Sequence, residues 1–194
     1  HGRADHTGPT PMNARKDALL SAAHLVVSVN ELSLTSASEL YTSVGRMEIK
    51  PNSPNTIAET VRLWIELRSA DQDALHAAAD GLKTNIARIA DATDCAIDIE
   101  AENHRPVIEF DPIGCDAVHA AASQAGLECM RLFTIAGHDA INLQTICPAS
   151  LIFVPSKDGI SHAPGEFTSD SDVIAGYEAS LSAISALLVT RPEQ

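Results

Sequence analysis

The sequence predicts an α/β protein in two parts: an antiparallel, ferredoxin-like part with two helices on one face, and a second part of alternating helices and strands. Residues 61–68 alternate between apolar and polar side chains, which is the pattern of a strand with one face on a core. Two segments of the first part show the apolar spacing of amphipathic helices. After about residue 105, helices alternate with nearly continuous apolar runs, which is typical of parallel α/β layers.

The first part is predicted to run helix–strand–strand–helix–strand. Its helices span Pro11–Leu34 and Asp71–Thr93, and its strands lie at 40–49, at 61–68 and at "CAIDIEAE", residues 95–102. The predicted apolar faces are Leu19, Ala23, Val26, Val27 and Asn30 for the first helix, and Leu75, Ala78, Ala79, Leu82, Ile86 and Ile89 for the second. A ferredoxin-like sandwich needs one more strand before the first helix, and only its tail could lie in "HGRADHTG". We therefore expect the chain to start within a domain.

The second part is predicted to begin near residues 105–112, which divides the chain into domains 1–108 and 109–194. A helix at Pro112–Ala125 leads to a strand, "ECMRLFTI", and a short helix opens at "AGHDA". The apolar run "SLIFVPS" predicts another strand, and Ser171–Val189 predicts the last helix. The predicted buried face of that helix is Val173, Ile174, Tyr177, Leu181, Ile184 and Leu188.

The composition disfavours nucleic acid and anionic membrane surfaces as partners. The 194 residues include 13 Lys+Arg against 26 Asp+Glu, for a net charge of −13, and the basic residues do not cluster. No stretch is expected to be apolar for long enough to span a bilayer. The four cysteines form no C-x-x-C pair and lie in apolar or helical surroundings. They predict buried free thiols in a reducing compartment, and hence a cytoplasmic protein.

Two histidines stand out because each follows a predicted parallel strand. These are His138 in "AGHDA" and His162 in "GISHAPGE". In open α/β sheets ligands bind beyond the carboxyl ends of the strands, where a neutral imidazole can coordinate a metal or donate a proton. The alternative for His162 is an ordinary solvated loop residue. The other histidines at 24, 76, 104 and 119 are expected at the surface or in turns.

Three further polar residues have both a functional and a structural interpretation. Arg68 ends the alternating strand, where its guanidinium could bind a carboxylate or pair with Glu66 or Glu48. Asn55 in "KPNSPN" could contact a ligand or cap the turn. His6 lies in the polar cluster "ADHTGPTPM". Spacing alone does not choose between these alternatives.

Four segments together resemble one known family. "ADHTGPTPMNARKDALLSAA", "PNSPNTIAETVRLWIELRS", "AGHDA" and "LIFVPSKDGISHAPGEFTS" resemble, in order and spacing, the hydantoinase/carbamoylase branch of the binuclear metallo-amidohydrolases. That branch includes N-carbamoyl-L-amino-acid hydrolases, N-carbamoyl-β-alanine amidohydrolase and allantoate amidohydrolase. The resemblance runs through essentially the whole chain, and "HTGPTP" departs slightly from the commoner "HAGTTP".

The resemblance implies an architecture. It covers the C-terminal half of such an enzyme: most of a lid domain that forms a homodimer, followed by the last part of the catalytic domain. In the family most metal ligands precede the region matched by this chain. The family binds two divalent ions, with Zn²⁺ or Mn²⁺ expected and Co²⁺ or Ni²⁺ as alternatives, and this chain alone is expected to hold them incompletely.

The resemblance also implies roles for individual residues. His162 matches a metal ligand, and His138 matches the histidine that contacts the scissile carbamoyl group. His6 matches the lid histidine that polarises the carbonyl in the neighbouring subunit's site. Asn55 and Arg68 match the pair that holds the substrate carboxylate.

The implied reaction is hydrolysis of the C–N bond of N-carbamoyl (ureido) amino acids or allantoate, with release of CO2 and ammonia. The alternatives are hydrolysis of N-acyl amino acids or dipeptides, and a non-catalytic dimerisation and lid fragment.

Overall fold

The computed structural model describes residues 1–190. The chain divides into two compact units, and the boundary in the sequence lies between Val107 and Ile108. The mixture of helices with an antiparallel sheet confirms the predicted fold class. The roles predicted for 1–108 and 109–194, a lid and part of a catalytic domain, stay predictions.

The first unit holds two long helices and a hairpin of two strands. A short 3-10 turn at Met12–Ala14 precedes helix α1, Ala18–Thr35, and helix α2 spans Gln72–Thr93. The predicted start of the first helix at Pro11 is wrong because the Asp17 side chain accepts the N–H groups of Leu19 and Leu20, which caps α1 there. Asp71 caps α2 in the same way.

The strands pair antiparallel and are covered by helices on one face. Strand β1 spans Tyr41–Lys50 and strand β2 spans Thr60–Arg68, with Tyr41 opposite Arg68 and Lys50 opposite Thr60. A bulge between Val44 and Arg46 shifts the register. Both helices pack on the sheet, and the alternate apolar residues of β2 are half-buried under them. On the other face the Arg46 guanidinium lies 4.2 Å from the centre of the Trp64 ring.

The face that α1 buries differs from the prediction. Its buried residues are Ala18, Ser21, Ala22, Leu25, Ser28 and Val29. Leu19 and Val27, which were predicted inside, are 39% and 56% exposed. The helix is apolar on most sides, so apolar spacing does not select one face. Serine can be buried because its hydroxyl bonds to backbone, as Ser28 does to the Leu25 carbonyl at 2.9 Å.

The face predicted for α2 is confirmed as buried or half-buried.

The strand predicted at 95–102 is wrong. Ala96 exchanges two hydrogen bonds with His1, but no residue of 97–106 joins a described strand ladder. The segment 1–7 that begins at His1 pairs with 55–59 instead, through bonds such as Ile57 N–H to the Asp5 carbonyl at 2.8 Å. An extended segment becomes a strand only where a neighbour accepts and donates its backbone bonds, and residues 97–106 have none among the described residues.

The second unit packs two helices against each other. Helix α3 spans Pro112–Gln124 and helix α5 spans Asp170–Thr190, with the short helix α4 at Asp139–Gln144 and a 3-10 turn at Lys157–Gly159 between them. The contact between α3 and α5 buries alanines at 121, 122, 179 and 183. A glycine in each helix lies against the 150–154 segment, since a Cβ at Gly176 would lie 2.4 Å from Val154 Cγ1 and one at Gly114 would lie 2.4 Å from Ser150 Oγ.

Three predictions for the second unit are wrong. Residues 128–135 and 150–156 are not strands within the part of the chain that the structure describes. The face of α5 predicted to be buried is exposed, with Tyr177 at 65% and Leu188 at 78%. All three predictions fail for one reason: no sheet among residues 108–190 pairs with the two segments or covers the face of α5.

Two helices, α1 and the Asp170–Val189 stretch of α5, are long and apolar enough by length and composition to cross a membrane. The expectation that no segment reaches that length is therefore wrong. A helix that packs within a folded unit can pass the same test, and α1 packs against the sheet and α2. The cysteines are free as predicted, but Cys129 and Cys147 are exposed rather than buried.

We predict that Gly2→Ala destabilises the first unit. A Cβ at Gly2 would lie 2.1 Å from the Lys16 carbonyl oxygen and 2.9 Å from the Ala18 nitrogen, both in backbone that cannot move aside cheaply. We expect a loss of about 1–3 kcal/mol in the free energy of unfolding, measured in urea. Gly45→Ala in β1 is the control, because nothing lies within 4 Å of its Cβ position. Equal effects of the two substitutions would contradict the prediction.

Candidate active site

His6 is held as a hydrogen-bond donor. The residue bridges to Thr56, and its ring Nδ1 accepts the Gly8 N–H at 2.9 Å. Because Nδ1 is an acceptor, the proton of the neutral ring lies on Nε2. The imidazole is exposed, so this N–H can reach a ligand. The His6 backbone N–H donates to the Asp5 carboxylate at 2.8 Å and holds the pKa of that carboxyl below its ordinary value, with further contributions from Thr10 and Arg3.

The loop that follows His6 is fixed by Arg15, for which the sequence indicated no role. Its Nη2 donates to the Thr7 carbonyl at 2.6 Å and to the Thr10 carbonyl at 3.0 Å, and Nε donates to the Thr10 carbonyl at 3.1 Å. The buried Thr10 hydroxyl donates to the His6 carbonyl at 2.7 Å. The available signal was the place of Arg15 in the conspicuous segment "HTGPTPMNAR". Arg15 is a positioning residue, since it acts on the His6 loop through backbone carbonyls.

Asn55 lies next to His6. Its carbonyl accepts the Thr7 N–H at 3.2 Å, and its side chain is exposed in the loop that follows the cis peptide bond between Lys50 and Pro51. Beside this loop lies an open cleft of about 290 Å³, whose lining includes Thr7, Arg15 and Thr56. The structure therefore brings His6 and Asn55 to one edge of the first unit.

Arg68 lies at the far end of β2. Its Nη2 pairs with the Glu66 carboxylate at 2.6 Å, which is one of the two ion pairs that the sequence allowed. Eight residue steps of about 3.3 Å separate Thr60 from Arg68 in the extended strand, which is roughly 26 Å. The Asn55 loop lies beyond Thr60. Arg68 and Asn55 of one copy are therefore too far apart to hold the same carboxylate.

His138 shares the ring geometry of His6. It caps helix α4, and its Nδ1 accepts the Ala140 N–H at 3.0 Å, so the neutral ring carries its proton on Nε2. The ring is exposed. Both candidate catalytic histidines thus present an N–H outward. A metal ligand instead needs a lone pair on the coordinating nitrogen.

His162 differs in its backbone and in its hydrogen bonds. Its φ is +55°, which a residue with a Cβ adopts only at a cost. Its backbone N–H donates to Glu166 Oε2 at 2.9 Å, and the side chain is exposed. The hydrogen bonds of the loop hold its backbone, and no described bond engages the ring nitrogens. Such an imidazole is suited to ligate a metal.

The donor set of residues 1–190 is too small for a metal centre. Among residues 1–190 no group of three or more His, Cys, Asp or Glu side chains is placed to hold a metal ion. A catalytic zinc site needs three protein ligands, and a binuclear site needs more. The described residues therefore do not fit a complete metal site, although His162 could contribute one ligand.

The family model of peptidase family M20/M25/M40 matches residues 6–186, which includes all five candidate residues. The chain belongs to this family. Its members are generally metal-dependent.

The curated relatives are amidohydrolases and hydrolases. A Mycolicibacterium smegmatis protein named "Putative hydrolase" is 36% identical over 188 residues, which are 96% of this chain and 43% of the relative. An N-carbamoyl-L-amino-acid amidohydrolase of Paenarthrobacter aurescens is 31% identical, covering 96% of this chain and 45% of the relative. An allantoate amidohydrolase of Escherichia coli is 26% identical over 92% of the chain and 43% of the relative. The chain spans less than half the length of these relatives.

A solved structure agrees with the fold of the chain. The hydantoinase/carbamoylase family amidase of Burkholderia vietnamiensis superposes with a TM-score of 0.92 at 36% identity, over 95% of this chain and 45% of that one. The resemblance to this branch is thereby confirmed.

We predict that Arg15→Met loosens the His6 loop. The methionine retains most of the apolar stem but leaves the carbonyls of Thr7 and Thr10 without their charged donor. We expect the free energy of unfolding to fall by about 1–3 kcal/mol, and the amides of Thr7, Gly8 and Thr10 to exchange faster. Arg88→Met, on the exposed side of α2, is the control and should change stability by less than about 0.5 kcal/mol. Unchanged exchange at Thr7, Gly8 and Thr10 would contradict the role given to Arg15.

Proposed function

We propose that the protein to which this chain belongs hydrolyses the C–N bond of N-carbamoyl (ureido) amino acids or allantoate, releasing CO2 and ammonia. The observation that carries the proposal is the family match over residues 6–186, with relatives named for these reactions at up to 31% identity. The orientation of the two candidate histidines adds chemical support. We place the protein in the cytoplasm, where its free thiols would stay reduced.

His6 and His138 are suited to stabilise charge on the carbamoyl oxygen. A backbone N–H at Nδ1 fixes each ring with Nε2–H as donor, so the donor needs no reorganisation when the oxyanion develops. Arg15 and the Thr10 hydroxyl hold the His6 loop, and the N-cap position holds His138. Positioning of this kind separates an oxyanion donor from a mobile surface histidine.

Asn55 and Arg68 are suited to bind the carboxylate end of the substrate, and their separation favours a homodimer. Since the two residues of one copy lie more than about 20 Å apart along β2, a shared carboxylate needs Asn55 of one copy and Arg68 of the other. Arginine binds a carboxylate through two parallel N–H donors, which orients the substrate by its unreactive end. His6, next to Asn55, would then act in the partner's site.

His162 would be one ligand of a pair of divalent ions, with Zn²⁺ or Mn²⁺ preferred over Co²⁺ or Ni²⁺. The further ligands would come from the part of the relatives that the chain does not match, since residues 1–190 supply no cluster. The same part would cover the exposed face of α5 and give strand partners to residues 128–135 and 150–156. This unmatched part would therefore account both for the incomplete ligand set of residues 1–190 and for the uncovered apolar surface.

Two other functions predict different experimental results. An N-acyl amino acid amidohydrolase or dipeptidase would use the same residues on a different leaving group. A non-catalytic dimerisation and lid fragment would form a dimer and turn over nothing.

Substrate turnover by the full-length protein with added metal tests the proposal. We expect activity on N-carbamoyl-L-amino acids, N-carbamoyl-β-alanine or allantoate, little on N-acetyl amino acids, and a loss of about 10²–10³ in kcat for His6→Ala. The 194-residue chain alone is the control and should be inactive, because its described residues supply no complete ligand set. Turnover of acetyl substrates only would show the proposal to be wrong, as would full activity of the isolated chain.

A mixing experiment tests the shared site. Full-length Asn55→Ala and Arg68→Met variants, each defective alone, should regain activity when their dimers are exchanged with one another. A mixed dimer holds one intact site and one doubly altered site, so recovery should reach about a quarter of wild-type activity. No recovery, with subunit exchange verified by mass, would show that each copy binds its substrate with its own two residues.

A further inference from the structure

Two histidines and a glutamine form a cluster in the first unit, apart from the five candidate site residues. Gln72 and His76 are one turn apart on helix α2, and His104 lies in the segment 97–107 that follows the helix. The two imidazole rings are stacked, with their centres 5.4 Å apart and their planes 30° apart. Both rings are exposed, so protons from solvent reach them. We call these three side chains, with the Val107 N–H that they hold, the Gln72 cluster.

The hydrogen bonds of the Gln72 cluster fix the protonation state of both rings. The Val107 N–H donates to Gln72 Oε1 at 3.1 Å, so the amide nitrogen of Gln72 is turned away from Val107. That nitrogen lies 3.3 Å from His76 Nε2 and 3.2 Å from His104 Nε2. An amide nitrogen only donates, and its two hydrogens serve the two rings. Each Nε2 therefore accepts, which requires both imidazoles to be neutral with their proton on Nδ1.

A proton added to either ring is incompatible with this arrangement. An imidazolium carries an N–H on both nitrogens, so its Nε2–H would face the N–H group of Gln72. Turning the amide over would present Oε1 to the ring, but the amide nitrogen would then face the Val107 N–H. Protonation of both rings would also place two positive charges on stacked rings 5.4 Å apart. Gln72 therefore cannot serve charged rings and the Val107 N–H at the same time.

The charged groups around the Gln72 cluster do not take over the role of its glutamine. On the neighbouring elements they are Asp71, Asp73, Asp80 and Lys83 at α2, Glu100, Glu102 and Arg105 in the following segment, and Arg62 and Arg68 on β2. Within the described residues no carboxylate bonds to either ring. The Ser38 hydroxyl and backbone N–H groups hold the pKa of the Asp71 carboxyl below its ordinary value. Carboxyl groups ordinarily titrate below pH 5 and imidazoles between pH 5 and 8, so the rings are the groups that change charge in that range.

Two ion pairs hold the part of the segment that precedes His104. Arg62 pairs with Glu100 at 2.9 Å, and Lys83 pairs with Glu102 at 3.2 Å. Carboxylates, guanidinium and ammonium groups ordinarily keep their charges between pH 5 and 8, so these attachments persist over that range. Only the attachment of the last residues, 103–107, depends on the imidazoles.

We propose that the Gln72 cluster is a proton-operated clasp. Above about pH 7 the neutral rings hold residues 103–107 on helix α2, and as the pH falls toward 5 the charged rings release them. Val107 is the last residue of the first unit, so the clasp sets the order of the segment through which the chain continues into the second unit. The direction follows from the acceptor role of both Nε2 atoms, which exists only in neutral rings.

Nuclear magnetic relaxation of the backbone amides in the 194-residue chain tests the proposal. We expect the order parameter of Val107 to fall from about 0.85 at pH 7.5 to below about 0.6 at pH 5.5. Amide protection of Val107 should fall at least about fivefold over the same range, after correction for intrinsic exchange. Ile57, whose N–H donates to the Asp5 carbonyl at 2.8 Å, reports that the unit stays folded and should keep its order parameter.

Three variants separate the clasp from a general effect of acid. The double substitution His76→Gln and His104→Gln leaves no titrating ring, so the order of Val107 should become independent of pH. Gln72→Glu supplies a carboxylate that accepts from an imidazolium and from the Val107 N–H together, so Val107 should stay ordered at pH 5.5. His24→Gln, at an exposed histidine on α1, is the matched control and should behave as the unaltered chain does.

Each outcome decides for or against the clasp. Loss of order in the unaltered chain that is absent from the double histidine variant and from Gln72→Glu supports the proposal. A Val107 order parameter that does not change with pH in the unaltered chain would overturn it. So would an equal loss in the double histidine variant, or a loss in Gln72→Glu as large as in the unaltered chain. None of these measurements depends on catalytic activity, so the proposal stands or fails independently of the proposed function.

Discussion

Backbone hydrogen bonding between extended segments is the constraint on which the structure depends. Where two such segments are neighbours, as in β1 with β2 and residues 1–7 with 55–59, the backbone is ordered and places side chains accurately. The segments at 128–135 and 150–156 have apolar strand composition but join no strand ladder among the described residues. Buried amides must be paired, so an extended segment is completed only by what lies beside it. This requirement explains why His6 and Asn55 lie together and why the segments at 128–135 and 150–156 form no described strands.

The two candidate catalytic histidines show how backbone geometry sets side-chain chemistry. In each, a backbone N–H two residues further along the chain donates to Nδ1, which leaves Nε2–H as the outward donor. His162 differs because its loop holds the backbone in the left-handed region and leaves the ring to other partners. Two kinds of imidazole therefore occur in one chain: two suited to stabilise an oxyanion and one suited to ligate a metal. A reaction that combines carbonyl polarisation with metal binding needs both kinds.

The exposed apolar surface of the second unit and the small ligand set of the described residues have one proposed origin. Helix α5 buries its alanine edge against α3, while the larger residues at 173, 174, 177, 181, 184 and 188 remain exposed. A contiguous apolar surface of this kind marks an interface. The matched relatives are more than twice as long as the chain, and their unmatched part is proposed to cover this face of α5 and to supply the remaining ligands.

The sequence by itself determined the fold class, the hairpin of β1 and β2, the helices and the family, because alternation, helical spacing and motif order are local properties of the chain. It also singled out His6, Asn55, Arg68, His138 and His162, all within the family match. It misplaced the buried face of α1, since an apolar helix with small serines presents more than one plausible face. The tertiary structure alone decided which extended segments became strands, that Arg15 holds the His6 loop, and that Arg68 lies far from Asn55. The strand partners depend on contacts between residues distant in sequence, and the Arg15 bonds depend on the conformation of the loop at residues 7–15; no apolar pattern encodes either.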